Sequence, residues 1–193
     1  MRAFIGNLLC RPATISAKQA LLWGLFWLLG GAILGWYFSV VPTSIVDYTW
    51  GRAALISYVI YGVAIWVTVA LPTLLLSLLQ NRDAAVWEVC GRMLYAHIPV
   101  TFVMVPAMFG DKVAFSTFMA SPLSVQLPMP YVVLMSLYMV VLMVWYLGWS
   151  YSAFKHATQF KGWLSVMLFG VAEVASYMLS QYAIGEIMGI GAI

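Results

Sequence analysis

The side chains that could do chemistry are few in this sequence, and the most unusual is Glu173, in the middle of a long apolar run. A charged side chain near the centre of a membrane costs about 2.5–3.5 kcal/mol on insertion scales. Such a carboxylate needs a cationic partner or a proton. Arg92 and His97, in another apolar run, are expected at a similar depth, and either one could pair with Glu173.

A second acidic side chain, Glu88, lies four residues before Arg92. This spacing and order favour an ion pair on one face of a helix. Glu88, Arg92, His97 and Glu173 therefore form a candidate buried polar cluster. Two interpretations stay open: a proton- or ion-responsive site, or a buried pair that fixes how the helices align.

Motifs of known catalytic and cofactor sites are absent from the sequence. It contains no G-x-x-x-x-G-K phosphate loop, no dinucleotide-binding glycine pattern, no H-E-x-x-H and no G-x-S-x-G. Cys10 and Cys90 are the only cysteines, too few for a disulfide framework or a cysteine metal site. No basic stripe with interleaved aromatic residues points to nucleic acid. We therefore predict a noncatalytic protein with no cofactor, no metal site and no nucleic-acid partner.

The composition limits the elements that can position these residues. Hydrophobic residues make up 64% of the chain and charged residues 8%, and the mean hydropathy is +0.97. An ordinary soluble domain has about 25% charged residues, so a soluble core is excluded. Because backbone groups in lipid must be hydrogen-bonded internally, the composition predicts an all-α, polytopic integral membrane protein.

Five apolar runs predict a bundle of five transmembrane helices, since about 20 apolar residues cross a hydrocarbon layer. The predicted spans cover about residues 19–41, 53–79, 86–109, 131–151 and 162–184. Together they form one membrane domain of residues 19–185. Residues 1–18 are predicted to be a short cytoplasmic or interfacial segment, and residues 186–193 a short tail on the opposite side.

The basic residues predict the orientation. With five spans, seven basic residues share the side of the N-terminus: Arg2, Arg11, Lys18, Arg82, Arg92, Lys155 and Lys161. Only Arg52 and Lys112 fall on the other side. By the positive-inside rule the N-terminus is cytoplasmic and the C-terminus lies across the membrane.

Prolines and small residues predict local features of the spans. Proline removes a helical hydrogen bond, so interrupted or bent helices are expected at the prolines within the spans. These prolines are Pro72, Pro99 and Pro106. Small residues allow helix backbones to approach each other in lipid, so close helix contacts are expected at glycines. The candidate glycines are Gly31, Gly35, Gly170, Gly185 and Gly189. These contacts could lie within the chain or join two copies of it.

Several features together resemble the Yip family of Rab-interacting membrane proteins. They are Arg11-Pro12 in a short basic segment, five spans with a cytoplasmic N-terminus, WEVCGRMLYAHIP in the third span and FKHATQFKGW before the fifth. Tyr95 and Pro99 are the most recognisable residues. The resemblance implies a compact five-helix membrane protein that acts through protein or lipid partners.

The N-terminal segment departs from the pattern of eukaryotic Yip proteins, which carry a long cytosolic region with an acidic Asp-Leu-Tyr-Gly-Pro motif. That motif is absent here, so Rab binding is not expected. The sequence looks like the short bacterial relatives, which implies a bacterial inner membrane with the C-terminus in the periplasm.

We therefore expect a scaffold or partner-binding subunit in membrane organisation or trafficking. Its expected partners are membrane lipids and either other membrane proteins or a second copy of the chain. The alternative is a small transporter or channel component. In that alternative Glu173, Arg92 and His97 would line a path between interrupted helices.

Overall fold

The computed structural model describes residues 11–80, 86–103, 105 and 129–189. These ranges contain seven α-helices and one two-stranded sheet. In chain order the helices are α1 (Arg11–Thr14), α2 (Ala17–Phe38), α3 (Leu55–Leu79), α4 (Val86–Ala96), α5 (Ile98–Thr101), α6 (Met129–Thr158) and α7 (Gly162–Ile187). Strands β1 (Val40–Pro42) and β2 (Tyr48–Trp50) lie between α2 and α3.

The described part of the chain has four helices that are long and apolar enough to cross a membrane. They are Ala17–Phe38, Leu55–Leu79, Val133–Thr158 within α6, and Gly162–Ile187. A helix satisfies its own backbone hydrogen bonds, which is what a segment in lipid requires. The protein is therefore a multi-pass integral membrane protein, and the helical fold class predicted from the sequence is confirmed.

The third predicted span, residues 86–109, is not one continuous helix in its described part. Helix α4 ends at Ala96, His97 forms a turn, and α5 continues for four residues. The His97 N–H is shared between the carbonyls of Met93 and Leu94, at 3.2 Å each. Pro99 lies in the first turn of α5. Backbone N–H groups in the first turn of a helix have no partner within the helix, so a proline is tolerated there. Pro106 lies outside the described residues.

Helix α4 and the following turn form the centre of the bundle. Every residue from Gly91 to Ala96 is buried. Helix α2 packs along α4 at glycines: a methyl group added at Gly24 would lie 2.6 Å from Leu94 Cγ, and Gly91 faces the carbonyl of Ala17. Without these glycines the two helices could not approach so closely.

A β-hairpin between α2 and α3 closes one end of the bundle and was not predicted from the sequence. Val40 pairs with Trp50 and Pro42 with Tyr48. Ser39, with a φ of 57°, ends α2 before the hairpin begins. The hairpin loop is held against α7, since the Ile45 N–H donates to Ser180 Oγ at 3.2 Å.

The long helices differ from the predicted spans mainly at their ends. The last predicted residues of the first span form β1, and α6 continues past residue 151 to Thr158. Pro72 does not interrupt its span, because α3 continues through it to Leu79. The side chain of Pro72 is buried in the bundle.

Candidate functional site

Glu173 lies beside a tyrosine rather than a cation. Tyr146 on α6 is 3% exposed, and its hydroxyl donates a 2.8 Å hydrogen bond to Glu173 Oε2 on α7. Among the residues that the structure describes, no basic side chain forms a salt bridge with Glu173. The phenol of Tyr146 is therefore the polar group that the bundle provides for this carboxylate.

His97 contacts the same tyrosine. The His97 and Tyr146 rings are nearly perpendicular, at 88°, with centroids 5.7 Å apart. His97 Nδ1 is buried and has no hydrogen-bond partner in the described part of the protein. We call His97, Tyr146 and Glu173 the Tyr146 cluster; it joins the turn after α4 to α6 and α7.

The contacts of the Tyr146 cluster limit the chemistry it can perform in this conformation. A phenol both donates and accepts hydrogen bonds, so Tyr146 could pass a proton to or from Glu173 along the existing bond. The His97–Tyr146 contact is a ring-edge contact rather than a hydrogen bond. A proton path through all three residues would require at least one side chain to rotate.

Arg92 is held at the end of the bundle near α1, away from Glu173. Its Nε and Nη2 lie 3.3 and 3.2 Å from Glu88 Oε1, and its Nη1 donates to the carbonyls of Pro12 and Ile15. Carbonyls at a helix C-terminus lack helical partners and attract basic side chains. The predicted pairing of Glu173 with Arg92 or His97 is therefore not found.

Glu88 forms the ion pair with Arg92 that the sequence spacing favours, at 3.2 Å. It also accepts a second contact, because His156 Nε2 on α6 lies 3.3 Å from Glu88 Oε1. The side chains of Glu88 and His156 are 33% and 35% exposed, whereas that of Arg92 is 7% exposed. We call Glu88, Arg92, His156 and the two carbonyls the Arg92 network; it fastens α1, α4 and α6 together.

A cleft lies on the other side of His97, between α2, α3 and the α4–α5 segment. It is small, with a cavity volume of about 60 Å³. Its walls are mostly apolar, with Trp27 and Gly31 on α2 and Gly62 on α3. We call this space the α2–α3 cleft.

Tyr48 lines the α2–α3 cleft from the hairpin side, outside the spanning helices. Burial raises the pKa of Tyr48, and the neighbouring Asp47 raises it further. The hydroxyl therefore stays protonated, and it donates to the carbonyl of Val100 at 3.3 Å. This bond fixes the hairpin to the segment that follows His97.

The predicted packing glycines have three different roles. Gly31 and Gly35 lie at contacts within the chain, where an added methyl group would be 3.0 Å from Thr101 Cγ2 and 2.9 Å from the Val40 carbonyl oxygen. Gly170 has no described residue within 4 Å of such a group, so it packs against no other element in the described part of the protein. Gly189 has a φ of +67° just after α7 and lies where a helix C-terminus favours glycine, while Gly185 is half-buried in α7.

Sequence reasoning missed Tyr146 and a second polar group around Asp47. Asp47 Oδ2 accepts hydrogen bonds from Ser44 Oγ at 2.9 Å and from the Tyr177 hydroxyl at 2.8 Å, and Gln181 Nε2 lies 3.4 Å away. Tyr177 and Gln181 are four residues apart, and Asp47 is the only acidic residue between the first two spans. That pattern could have indicated a polar face at the end of α7.

Comparison of the chain with protein-family models, curated proteins and solved structures finds no match. Within the described residues no three His, Cys, Asp or Glu side chains are grouped so as to hold a metal ion.

Proposed function

We propose that the protein is a noncatalytic scaffold or partner-binding subunit in a membrane, the role that its resemblance to the Yip family implies. The observation that supports this proposal is the outward face of α7. Helix α7 buries a narrow stripe of mostly small residues: Ser165, Ala172, Ser176, Ser180 and Ile184. This stripe faces mainly α3.

The exposed side of α7 is apolar and includes a small residue, Gly170. No described residue lies within 4 Å of a methyl group added at Gly170, and the side chains of Val166, Met167 and Val174 next to it are exposed. In lipid, large apolar side chains contact other helices no better than they contact lipid tails, whereas a glycine allows a second helix to approach closely. We infer that this α7 outer face binds a helix of another membrane protein or of a second copy.

Photo-crosslinking in native membranes tests this proposal. A photoreactive residue at Met178, which is 66% exposed on α7, should give a discrete crosslinked product. Gly170→Leu should abolish that product, because the leucine fills the place where the partner helix would approach. The mass of the product distinguishes a second copy from another membrane protein.

The matched control is Gly30 on α2, which also has no described residue within 4 Å of an added methyl group. Gly30→Leu should leave the crosslink unchanged, because the two substitutions add the same apolar bulk at different faces. Undiminished crosslinking of Gly170→Leu, or equal loss in both variants, would contradict the role of the α7 outer face.

The membrane topology proposed with this function has five crossings. Its support comes from α4 and α5, which run in the same direction as α2: Gly91 faces Ala17, and Thr101 faces Gly31. From Ala17 to Gly31, α2 rises about 21 Å, so the interrupted segment follows α2 through much of the bundle. An odd number of crossings separates the two termini. The excess of basic residues on the N-terminal side then supports a cytoplasmic N-terminus and, in the bacterial inner membrane that the resemblance implies, a periplasmic C-terminus.

Reporter fusions at the two ends test this topology. A reporter active only in the cytoplasm should work at the N-terminus, and one active only in the periplasm should work at the C-terminus. Activity of the same reporter at both ends would exclude five crossings.

A second candidate function, a small transporter or channel component, is favoured by the setting of Glu173. Its hydrogen-bonding partner is the neutral phenol of Tyr146, and Arg92 is occupied by Glu88 and by backbone carbonyls. An ionisable side chain in the membrane that has no oppositely charged partner is typical of proton and ion pathways.

Liposome flux measurements test this candidate. Purified protein should carry a proton or cation flux that Glu173→Gln abolishes, while a substitution at the end of the bundle, His156→Gln, should retain it. Flux that survives Glu173→Gln, or no flux from the wild-type protein, would exclude a transport role for Glu173.

A further inference from the structure

We infer that a pocket at the base of the β-hairpin binds the phosphate group of an anionic membrane lipid. We call it the Arg52 pocket, and its lining residues are Trp36, Tyr37, Ser39, Arg52 and Ala53. The chemical class of the ligand is a phospholipid whose head group carries a phosphate and no cationic group. The pocket includes no residue of α7, so the inference does not depend on the partner helix proposed there.

The Arg52 pocket lies where two membrane helices reach the membrane surface. Helix α2 ends at Phe38 and α3 begins at Leu55, and both helices are long and apolar enough to cross a membrane. On the last turn of α2, Trp36 is 50% and Tyr37 is 70% exposed. Exposed aromatic residues at the end of a span are typical of the membrane interface, where lipid head groups lie. The pocket is therefore at the level of the lipid phosphates.

Backbone and side-chain hydrogen bonds hold the two sides of the pocket together. The Gly51 N–H donates to the Ser39 carbonyl at 3.0 Å, and the Tyr58 hydroxyl on α3 donates to the Gly51 carbonyl at 2.9 Å. The residue before Arg52 is thus attached to the end of α2 and to α3. The volume of the pocket is about 310 Å³, at the lower end of the range of about 300–1,000 Å³ that is usual for ligand sites.

Arg52 supplies a positive charge that the described part of the protein does not pair. No described acidic side chain forms a salt bridge with Arg52, and none lines the pocket. Asp47, the only acidic residue between the first two predicted spans, accepts hydrogen bonds from Ser44 and Tyr177 instead. A guanidinium group can donate two parallel hydrogen bonds to phosphate oxygens, and the Ser39 hydroxyl can donate another. A phosphate would therefore supply the missing opposite charge.

The apolar surface next to the pocket favours a lipid over a soluble phosphate. Ile33 and Leu29 lie three and seven residues before Trp36, on the same face of α2. They are 54% and 50% exposed. From Trp36 to Leu29 this surface extends about 10 Å into the membrane, so an acyl chain attached to a phosphate at Arg52 would lie along it. A soluble phosphate would make no such contact.

Native mass spectrometry of the delipidated protein in detergent tests the inference on the wild type. Phosphatidylglycerol should bind in a saturable first step, and diacylglycerol, which lacks the phosphate, should bind about tenfold more weakly. Phosphatidylcholine should also bind more weakly, because its choline brings a second positive charge near Arg52. Inorganic phosphate should not compete. Equal binding of phosphatidylglycerol and either other lipid, or full competition by inorganic phosphate, would overturn the inference.

Substitutions of Arg52 test the charged contact. Arg52→Gln should weaken phosphatidylglycerol binding about tenfold and leave diacylglycerol binding unchanged, a difference that a merely structural role would not produce. Arg52→Lys keeps the charge but cannot donate two parallel hydrogen bonds in the same way, so its affinity should lie between those of the wild type and Arg52→Gln.

Lys161→Gln is the matched control, because it removes the same charge from an exposed side chain just before α7. The hairpin contacts α7 near its other end, at Ser180, so Lys161 lies at the opposite end of the bundle from Arg52. At this distance its charge is screened, and phosphatidylglycerol binding should stay within about twofold of the wild type. No loss in Arg52→Gln, or an equal loss in Lys161→Gln, would overturn the inference.

Ser39→Gly tests the pocket without changing its charge. Ser39 has a φ of 57°, which glycine adopts readily, so the substitution removes the hydroxyl without straining the backbone. Phosphatidylglycerol binding should weaken about threefold, and the thermal transition in detergent should stay cooperative. If Arg52→Gln does not fold, this variant decides instead, and unchanged phosphatidylglycerol binding in Ser39→Gly then overturns the inference.

Discussion

The Arg92 network and the Tyr146 cluster are both built from ionisable side chains in an apolar protein, but they handle charge in opposite ways. Arg92 meets a carboxylate, Glu88, and two backbone carbonyls, so its charge and its donors are matched. Glu173 meets only the neutral hydroxyl of Tyr146 among the polar contacts that the structure describes. Arg92 therefore has an oppositely charged partner, whereas Glu173 has none among the described residues.

The difference indicates which group serves the fold and which is available for function. A matched cation that joins three helices stabilises one arrangement of them, and removing it leaves several buried groups without partners. An unmatched carboxylate stabilises little and is retained at a cost in lipid. We therefore expect substitutions in the Arg92 network to affect folding and substitutions in the Tyr146 cluster to affect activity more than folding.

Arg92→Met should have the largest effect on stability. The methionine fills a similar volume but leaves the carbonyls of Pro12 and Ile15 and the carboxylate of Glu88 without the guanidinium. Breaking a buried pair in this way costs about 3–5 kcal/mol, and the partial exposure of Glu88 puts the expected loss at the low end. Equilibrium unfolding in mixed detergent–SDS micelles measures it.

Arg92→Lys is the matched control, because it keeps the charge but cannot reach Glu88 and both carbonyls at once. Its stability should lie between those of the wild type and Arg92→Met. If Arg92→Met unfolds at the wild-type SDS fraction, the Arg92 network does not hold α1 and α4 together, and it stabilises the fold no more than the Tyr146 cluster does.

Tyr146→Phe should have a smaller effect, about 1–2 kcal/mol in the same unfolding assay. It removes the hydroxyl that donates to Glu173 and leaves the ring contact with His97 in place. In a Glu173→Gln background the cost should shrink, because an unpaired amide loses less than an unpaired carboxylate. Additive effects in this double-mutant cycle would mean that the Tyr146–Glu173 hydrogen bond contributes nothing to the fold.

The sequence predicted the contact of Arg92 within its own helix but not the contacts that Arg92 and Glu173 make with other helices. The Glu88–Arg92 pair follows from a spacing of four residues on one helix. The second set of Arg92 contacts, to Pro12 and Ile15, joins residues 80 and 77 positions apart. These contacts are made to backbone atoms, which leave no signal in residue types. Without that signal, the sequence favours Glu173 as a partner of Arg92 as much as it favours the backbone carbonyls.

The partner of Glu173 was missed for a related reason. Tyr146 lies in a charge-free, methionine-rich run where its single hydroxyl does not distinguish it from tyrosines that contact lipid, such as Tyr182. Which of them faces a carboxylate depends on how α6 and α7 are rotated about their axes. Helix rotation is determined by packing of small residues such as Ala172 and Ser176, and the sequence does not specify which neighbour they meet.

His156→Gln should have the smallest effect and tests whether the Arg92 network depends on its outer contact. His156 and Glu88 are each about one-third exposed, and ion pairs with this much solvent access contribute under about 1 kcal/mol. Glutamine can still donate a hydrogen bond toward Glu88, so the expected loss is within about 0.5 kcal/mol. A loss as large as that of Arg92→Met would mean that Glu88 is held mainly by α6, and the stabilising centre of the network would then be the α4–α6 contact rather than the attachment of α1.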